Sequence, residues 1–252
     1  MLHGTTLAVT GASSGIGWEI CHALHAEGCQ VVACGRDAGR LARLADRLPG
    51  ITCLQADLSA PGGIDRLAEH LLALPGLDGI IHNAAVQRDT LLDAASYTAT
   101  QLEHELRVNL LAPLELTRRL LPGLRLRPRA WLVFVTTGLV FAPKARATVY
   151  CASKSGLHGA AESLRAQLAG SPVRVVELVP PLVDTPMTAG RGRNKLPPPA
   201  VARALVRGLK AGKPRIYVGK ARLLPWLVRI SPGLVRWLMA RLDKPSTASP
   251  RV

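Results

Sequence analysis

Tyr150 and Lys154 stand four residues apart in the run YCASK. On a helix that spacing puts both side chains on one face. A free phenol has a pKa near about 10, too high for a base at neutral pH. A neighbouring ammonium favours the phenolate. The pair therefore predicts acid/base chemistry, with Tyr150 protonating a carbonyl oxygen or deprotonating an alcohol. A tyrosine and a lysine on one helix face mean little in isolation, so the rest of the chain must supply the context.

Part of that context is TGASSGIG at residues 10–17. Gly11, Gly15 and Gly17 sit where an apolar run turns into a helical one, with Ser13, Ser14 and Ile16 between them. Glycines there permit tight backbone angles and let N–H groups approach a pyrophosphate at a helix N-terminus. The second apolar run ends in CGRD, with Gly35 at the tip and Arg36 after it. NAD-binding folds tend to carry an acidic residue at this tip for the ribose hydroxyls. A guanidinium instead suits a 2′-phosphate, through bidentate, charge-assisted hydrogen bonds. The expected cofactor is therefore NADP(H) rather than NAD(H), and its nicotinamide cation would also favour a phenolate at Tyr150. Ser13 adds a hydroxyl donor, and Asp37 is read as the cap of the next helix. Asp57 and Leu58 follow the third apolar run. Asp57 suits the adenine amino group, a helix N-cap, or both.

These motifs occur in one order with HNAA at 82–85, Asn109 in VNLLAP and YCASK at 150–154. Together they closely resemble the short-chain dehydrogenase/reductase family, over roughly the first three quarters of the chain. The resemblance implies that Lys154 holds the nicotinamide ribose and that Asn109 kinks a helix and orders a water leading from the lysine to solvent. It places Asn83 and Ala84 beside the adenosine ribose. In VFVTTG, Thr137 falls where the family has a serine that polarises the substrate carbonyl. A threonine hydroxyl can donate the same bond, while its methyl narrows the pocket. Thr136 should point away, because strand side chains alternate. In PPLVDT, Pro180, Val183 and Thr185 match a segment whose backbone meets the nicotinamide carboxamide. Pro181 replaces the usual glycine and should stiffen this loop. His82 reads as a packed strand-end residue rather than a catalyst. The segments GLVFAP, PPLVDT and RIYVGKA are similar to a bacterial subgroup linked by name to D-alanine esterification of lipoteichoic acids, a reaction with no obvious redox step. The helices with Asn109 and Tyr150 often pair between subunits in the family, which implies a homo-oligomer, here a dimer.

The elements that must position these residues follow from an alternation of short apolar runs with longer helical ones. Residues 7–9, 31–34, 79–82, 131–135 and 173–178 read as buried parallel strands. Residues 16–27, 40–47, 101–121, 149–168 and 199–210 read as helices. The expected fold class is α/β: a single Rossmann-like, doubly wound parallel sheet with helices on both faces. Residues 1–220 form the nucleotide-binding and catalytic domain, and residues 221–252 a C-terminal amphipathic helical extension of it. Residues 185–199 are polar, basic and rich in Gly and Pro, as expected of a mobile loop. Within 221–242, Pro225 and Pro232 divide two short helices, with Arg222, Arg229 and Arg236 at heptad spacing beside Trp226 and Trp237. Arginine costs roughly 2.5–3.5 kcal/mol at mid-bilayer, which excludes a simple spanning helix. The segment is read as a lid or a subunit contact before a membrane-surface anchor.

A chain of 252 residues suits one such domain. Its net charge of +15 attracts polyanions, but no nucleic-acid signature accompanies it, so nucleic acid is not an expected partner. Five scattered cysteines without a CxxC pair argue for a reducing compartment and against zinc, so the cytoplasm is expected and no metal. A strand begins almost at once, leaving no room for a signal peptide. The expected function is NADP(H)-dependent hydride transfer to or from a small carbonyl or alcohol substrate. That substrate is expected to be largely apolar, because runs 86–92, 139–142 and 185–196 would wall its pocket. A non-catalytic nucleotide sensor, or a membrane-surface scaffold, on the same fold is the alternative.

Overall fold

The computed structural model describes residues 2–231 and Gly233. Its centre is a parallel sheet of seven strands among the described residues: β1 (Thr6–Thr10), β2 (Gln30–Gly35), β3 (Thr52–Gln55), β4 (Leu77–His82), β5 (Ala130–Val135), β6 (Val173–Val179) and β7 (Arg215–Tyr217). Their order is β3-β2-β1-β4-β5-β6-β7. The chain thus winds outward from β1 to one edge, crosses back, and winds to the other. Ligands of such sheets bind beyond the strands' C-terminal ends where the winding reverses, here between β1 and β4.

Helices cover both faces because the central strands are apolar on both sides. One layer holds α1 (Gly15–Ala26), α2 (Ala38–Arg47) and α7 (Pro198–Lys210), through Ile20, Leu24, Leu41, Leu44, Val201 and Leu205. The other holds α3 (Gly63–Ala73), α5 (Ala112–Arg125) and α6 (Thr148–Gln167), through Leu67, Leu71, Leu116, Leu120, Leu157 and Ala161. Each buried leucine or valine contributes roughly 1.5–3 kcal/mol.

Three elements differ from the sequence expectation. Helix α3 was not among the expected helices; Gly62, at φ +68°, is the N-cap from which it starts. The helix expected over 101–121 is instead α4 (Ala99–Leu106), a π-helical turn (Arg107–Leu111) and α5. The π turn holds one extra residue per turn and carries Asn109. The loop expected at 185–199 is tied at its base. Val183 bridges Leu196, and Asp184 N donates to the Leu196 carbonyl at 2.9 Å. Of the tail, α8 (Leu224–Ile230) is described, while the second expected helix, with Arg236 and Trp237, lies outside the described residues. Among the described residues no helix is long and apolar enough to cross a membrane.

Candidate active site

A cleft of about 1230 Å³ runs along the strands' C-terminal ends. Its nucleotide half is built by β1, β2 and β3. Gly11 follows β1 at φ +68°, where a Cβ would stand 2.8 Å from the Ala84 Cα. A side chain is therefore barred twice, by backbone angle and by space. Ser13, Ser14, Gly15 and Ile16 line the cleft, and the Ser14 side chain makes no cap bond to α1. The first N–H groups of α1 are thus left for a phosphate. Gly17 does not reach the cleft. Its Cβ would fall 2.2 Å from the Gly11 carbonyl oxygen, so this glycine lets helix and turn pack together. The expectation that Gly17 meets the cofactor is corrected: it shapes the turn from behind.

Arg36, Asp57 and Leu58 line the same half, with Arg40, which the sequence reading missed. Arg40 stands one turn into α2 and pairs with Asp37 at 3.1 Å. Asp37 is the N-cap of α2, accepting from Arg40 N at 2.9 Å. Asp57 caps a turn rather than a helix, accepting from Ser59 N at 2.8 Å and Ser59 Oγ at 2.6 Å. The Ser59 hydroxyl, with the Arg36 charge, holds the Asp57 carboxyl below the usual carboxylate range.

Asn83 and Ala84 close the floor where β4 meets β1. Asn83 Nδ2 donates to the Thr10 carbonyl at 2.9 Å, and Thr10 Oγ1 accepts from Asn83 N and Ala84 N, both at 3.1 Å. His82 is buried, stacked on Phe134 and bonded to Thr117 Oγ1 at 3.0 Å. Burial, with the nearby Lys154 charge, depresses its pKa to about 3, so it is neutral.

The catalytic half is built by β5, β6 and α6. Tyr150, Lys154 and Thr137 line it together, with Pro180, Val183 and Thr185 opposite. Lys154 is buried and donates from Nζ to the Val135 carbonyl at 2.8 Å. Burial lowers its pKa to about 8. Tyr150 does not show the lowered pKa expected from its neighbour. Burial pushes the phenol above its ordinary value, and only Arg191 and the Thr137 hydrogen bond act downward. Desolvation of the phenolate is the largest influence and outweighs Arg191 and the Thr137 bond.

Asn109 is buried and does not line the cleft. Its side-chain amide clamps the backbone of Val86, accepting from Val86 N and donating to the Val86 carbonyl, each at 2.8 Å. It also donates to Ser153 Oγ at 3.2 Å. The π turn thus fastens the loop after β4 to α6, beside Tyr150 and Lys154. Thr136 points away from Tyr150: its Oγ1 donates to Glu177 Oε1 at 2.7 Å. Glu177 is fully buried and also meets His158 Nδ1 at 2.9 Å. Sequence reasoning missed this pair, although His158 lies one turn beyond Lys154 on α6. His158, Glu162 and Glu177 bring three metal-ligating groups together, but Glu162 is already held by Arg215 and Arg165.

Residues 5–196 match the family model described as short chain dehydrogenase. The chain belongs to the short-chain dehydrogenase family. The protein is 34% identical over 219 residues to the uncharacterized oxidoreductase DltE of Bacillus subtilis, covering 84% of this chain and 86% of that one. It is 35% identical over 195 residues to 1-deoxy-11-beta-hydroxypentalenate dehydrogenase of Streptomyces avermitilis, covering 75% and 72%. A short-chain dehydrogenase from Burkholderia cenocepacia, solved in complex with NADP, shares the fold at a TM-score of 0.83, with 24% identity, covering 97% of this chain and all of that one. The protein is therefore an oxidoreductase of the short-chain dehydrogenase family that resembles DltE.

Proposed function

We propose that the protein is an NADP(H)-dependent reductase of carbonyl compounds, with Tyr150 as the proton donor. The observation that carries this reading is the convergence of Tyr150, Lys154 and Thr137 on one half of a cleft whose other half is a glycine-walled helix N-terminus. Gly11, Ser13, Ser14, Gly15 and Ile16 would hold the pyrophosphate. Arg36, with Arg40, would take the 2′-phosphate, while Asp57, Leu58, Asn83 and Ala84 enclose the adenosine. Lys154, Pro180, Val183 and Thr185 would hold the nicotinamide end. The space kept open at Gly11 and the unused amides of α1 fit such a group. A bound dinucleotide supplies the hydride. Arg36 and Arg40 in the nucleotide half support the choice of NADP(H); the fold relatives themselves include complexes with NADPH, NADP and NADH.

The remaining chemistry belongs to this chain. Thr137 and Tyr150 hydroxyls converge on a carbonyl oxygen. A phenol is protonated at neutral pH, so Tyr150 can serve as an acid toward a carbonyl oxygen. As charge develops on the carbonyl oxygen, the phenol gives up its proton, and Arg191 and Thr137 stabilise the phenolate left behind. The phenolate regains its proton from solvent between turnovers, while Lys154 is held beside the cleft by the Val135 carbonyl. Asn109 acts at a distance, as a positioning residue that keeps the Val86 loop and α6 in register.

Two measurements test this reading. Tyr150→Phe should lower turnover with NADPH by about 10²-fold or more while leaving nucleotide binding within a few-fold. Wild-type rates in that variant would sink the assignment. Arg36→Ala should weaken NADPH binding roughly 10-fold or more and leave NADH nearly unchanged, seen by fluorescence titration. Equal losses for both nucleotides would remove the basis for preferring NADP(H).

A further inference from the structure

The charges along the cleft wall are segregated. Its two carboxylates, Asp37 and Asp57, both lie in the nucleotide half. In the catalytic half, the charged side chains among the described residues are all cations: Lys144, Arg191, Arg193, Lys195 and Lys220 beside Lys154. Two of them face full counter-charges, Lys144 on Asp89 at 2.9 Å and Lys195 on Asp184 at 3.4 Å. Arg191 does not. Its guanidinium donates to the Met187 carbonyl, a dipole that leaves the net charge in place. Arg191 is half-buried, and it is close enough to act on the Tyr150 phenol. The same wall carries apolar side chains beside polar ones, with Val86, Leu139, Leu182, Met187 and Leu196 among them.

A cleft lined by one sign of charge concentrates ligands of the other sign, because low-dielectric walls focus the field. A guanidinium holds a carboxylate or a phosphate through paired, charge-assisted bonds. The apolar stretch beside it would cover a hydrocarbon body. We infer that the catalytic half of the cleft takes an anionic amphiphile, whose carboxylate or phosphate is bound by Arg191 with Arg193 and Lys220. That the same molecule carries the reacting carbonyl rests on the proposed reductase function; the anion subsite does not.

The test uses the full chain and binding as well as turnover. Octanoate, octyl phosphate and 1-octanol are titrated calorimetrically, with and without saturating NADP⁺. One of the anions should bind about tenfold or more tightly than octanol, and whichever does identifies the acid group. Arg191→Gln combined with Lys220→Gln should remove that advantage, while octanol binding stays within a few-fold. Anions that bind no better than octanol, that ignore the two substitutions, or that NADP⁺ displaces would overturn the subsite. In parallel, 4-oxooctanoate and its methyl ester are offered with NADPH. Preference for the acid by about tenfold in kcat/KM supports the inference, and preference for the ester counts against it. Turnover of neither, with octanoate binding intact, would refute the reductase reading and leave the subsite standing.

Discussion

Lys154 shows what the site costs at the level of one residue. Burial holds its pKa at about 8, below the ordinary lysine value of 10.5. Between those values the unfolded chain binds the proton more readily, so stability falls as pH drops from 10.5 to 8 and then levels off. Lys154→Met should therefore stabilise the protein at neutral pH by about 1–3 kcal/mol and abolish activity, as read from urea midpoints and NADPH oxidation. Loss of stability in that variant would mean that the Val135 hydrogen bond outweighs the buried charge. The helix-face logic that joins Tyr150 to Lys154 was legible in the sequence, as were Thr137 and Asp37. The direction of the phenol's shift was not. It depends on how much water reaches Tyr150, and burial belongs to the assembled fold rather than to a spacing of four. Arg191 escaped for the same reason, since nothing local marks which loop arginine turns toward the phenol.

Among the elements, β5, β6 and α6 are joined behind the site by Thr136, Glu177 and His158. The hydrogen bond from His158 to Glu177 raises the histidine's pKa above 6.5, helped by Glu162 and opposed by burial and Arg215. The sign follows: the pair's contribution to stability is complete below pH 6.5 and is lost as pH rises through the folded value. The stability difference between the wild type and His158→Gln, read from urea midpoints, should shrink as pH rises from 6.5 through the folded value and be constant outside that window. Identical profiles would show that the pair is inert. The strands were legible as apolar runs because a sheet covered on both faces needs no alternation. Helix α3 was hidden because Pro61, Gly62 and Gly63 punctuate its start. An irregularity at Asn109 was implied by the family resemblance; its form as a π turn was not legible, because an apolar pattern does not record backbone hydrogen-bond register.

At the scale of the whole molecule, the expected partner is a second copy of the chain. Leu111 ends the π turn half exposed, on the helical segment that the family resemblance pairs between subunits. We expect a dimer in sedimentation velocity that Leu111→Glu converts to monomer with its circular dichroism unchanged; a persistent dimer would move the contact elsewhere. That face and the site share one origin. Each residue of an α-helix advances about 100° around the axis, so one surplus residue in the turn rotates everything downstream by that amount. Asn109, wholly inside, and Leu111, half exposed, stand two residues apart, which is about 200° around a helix and sets them on opposite sides. Deleting a single residue there would swing both at once, unfastening the Val86 loop and re-aiming the outward face of α5. The protein should therefore tolerate many substitutions along this helix and almost no change in its length.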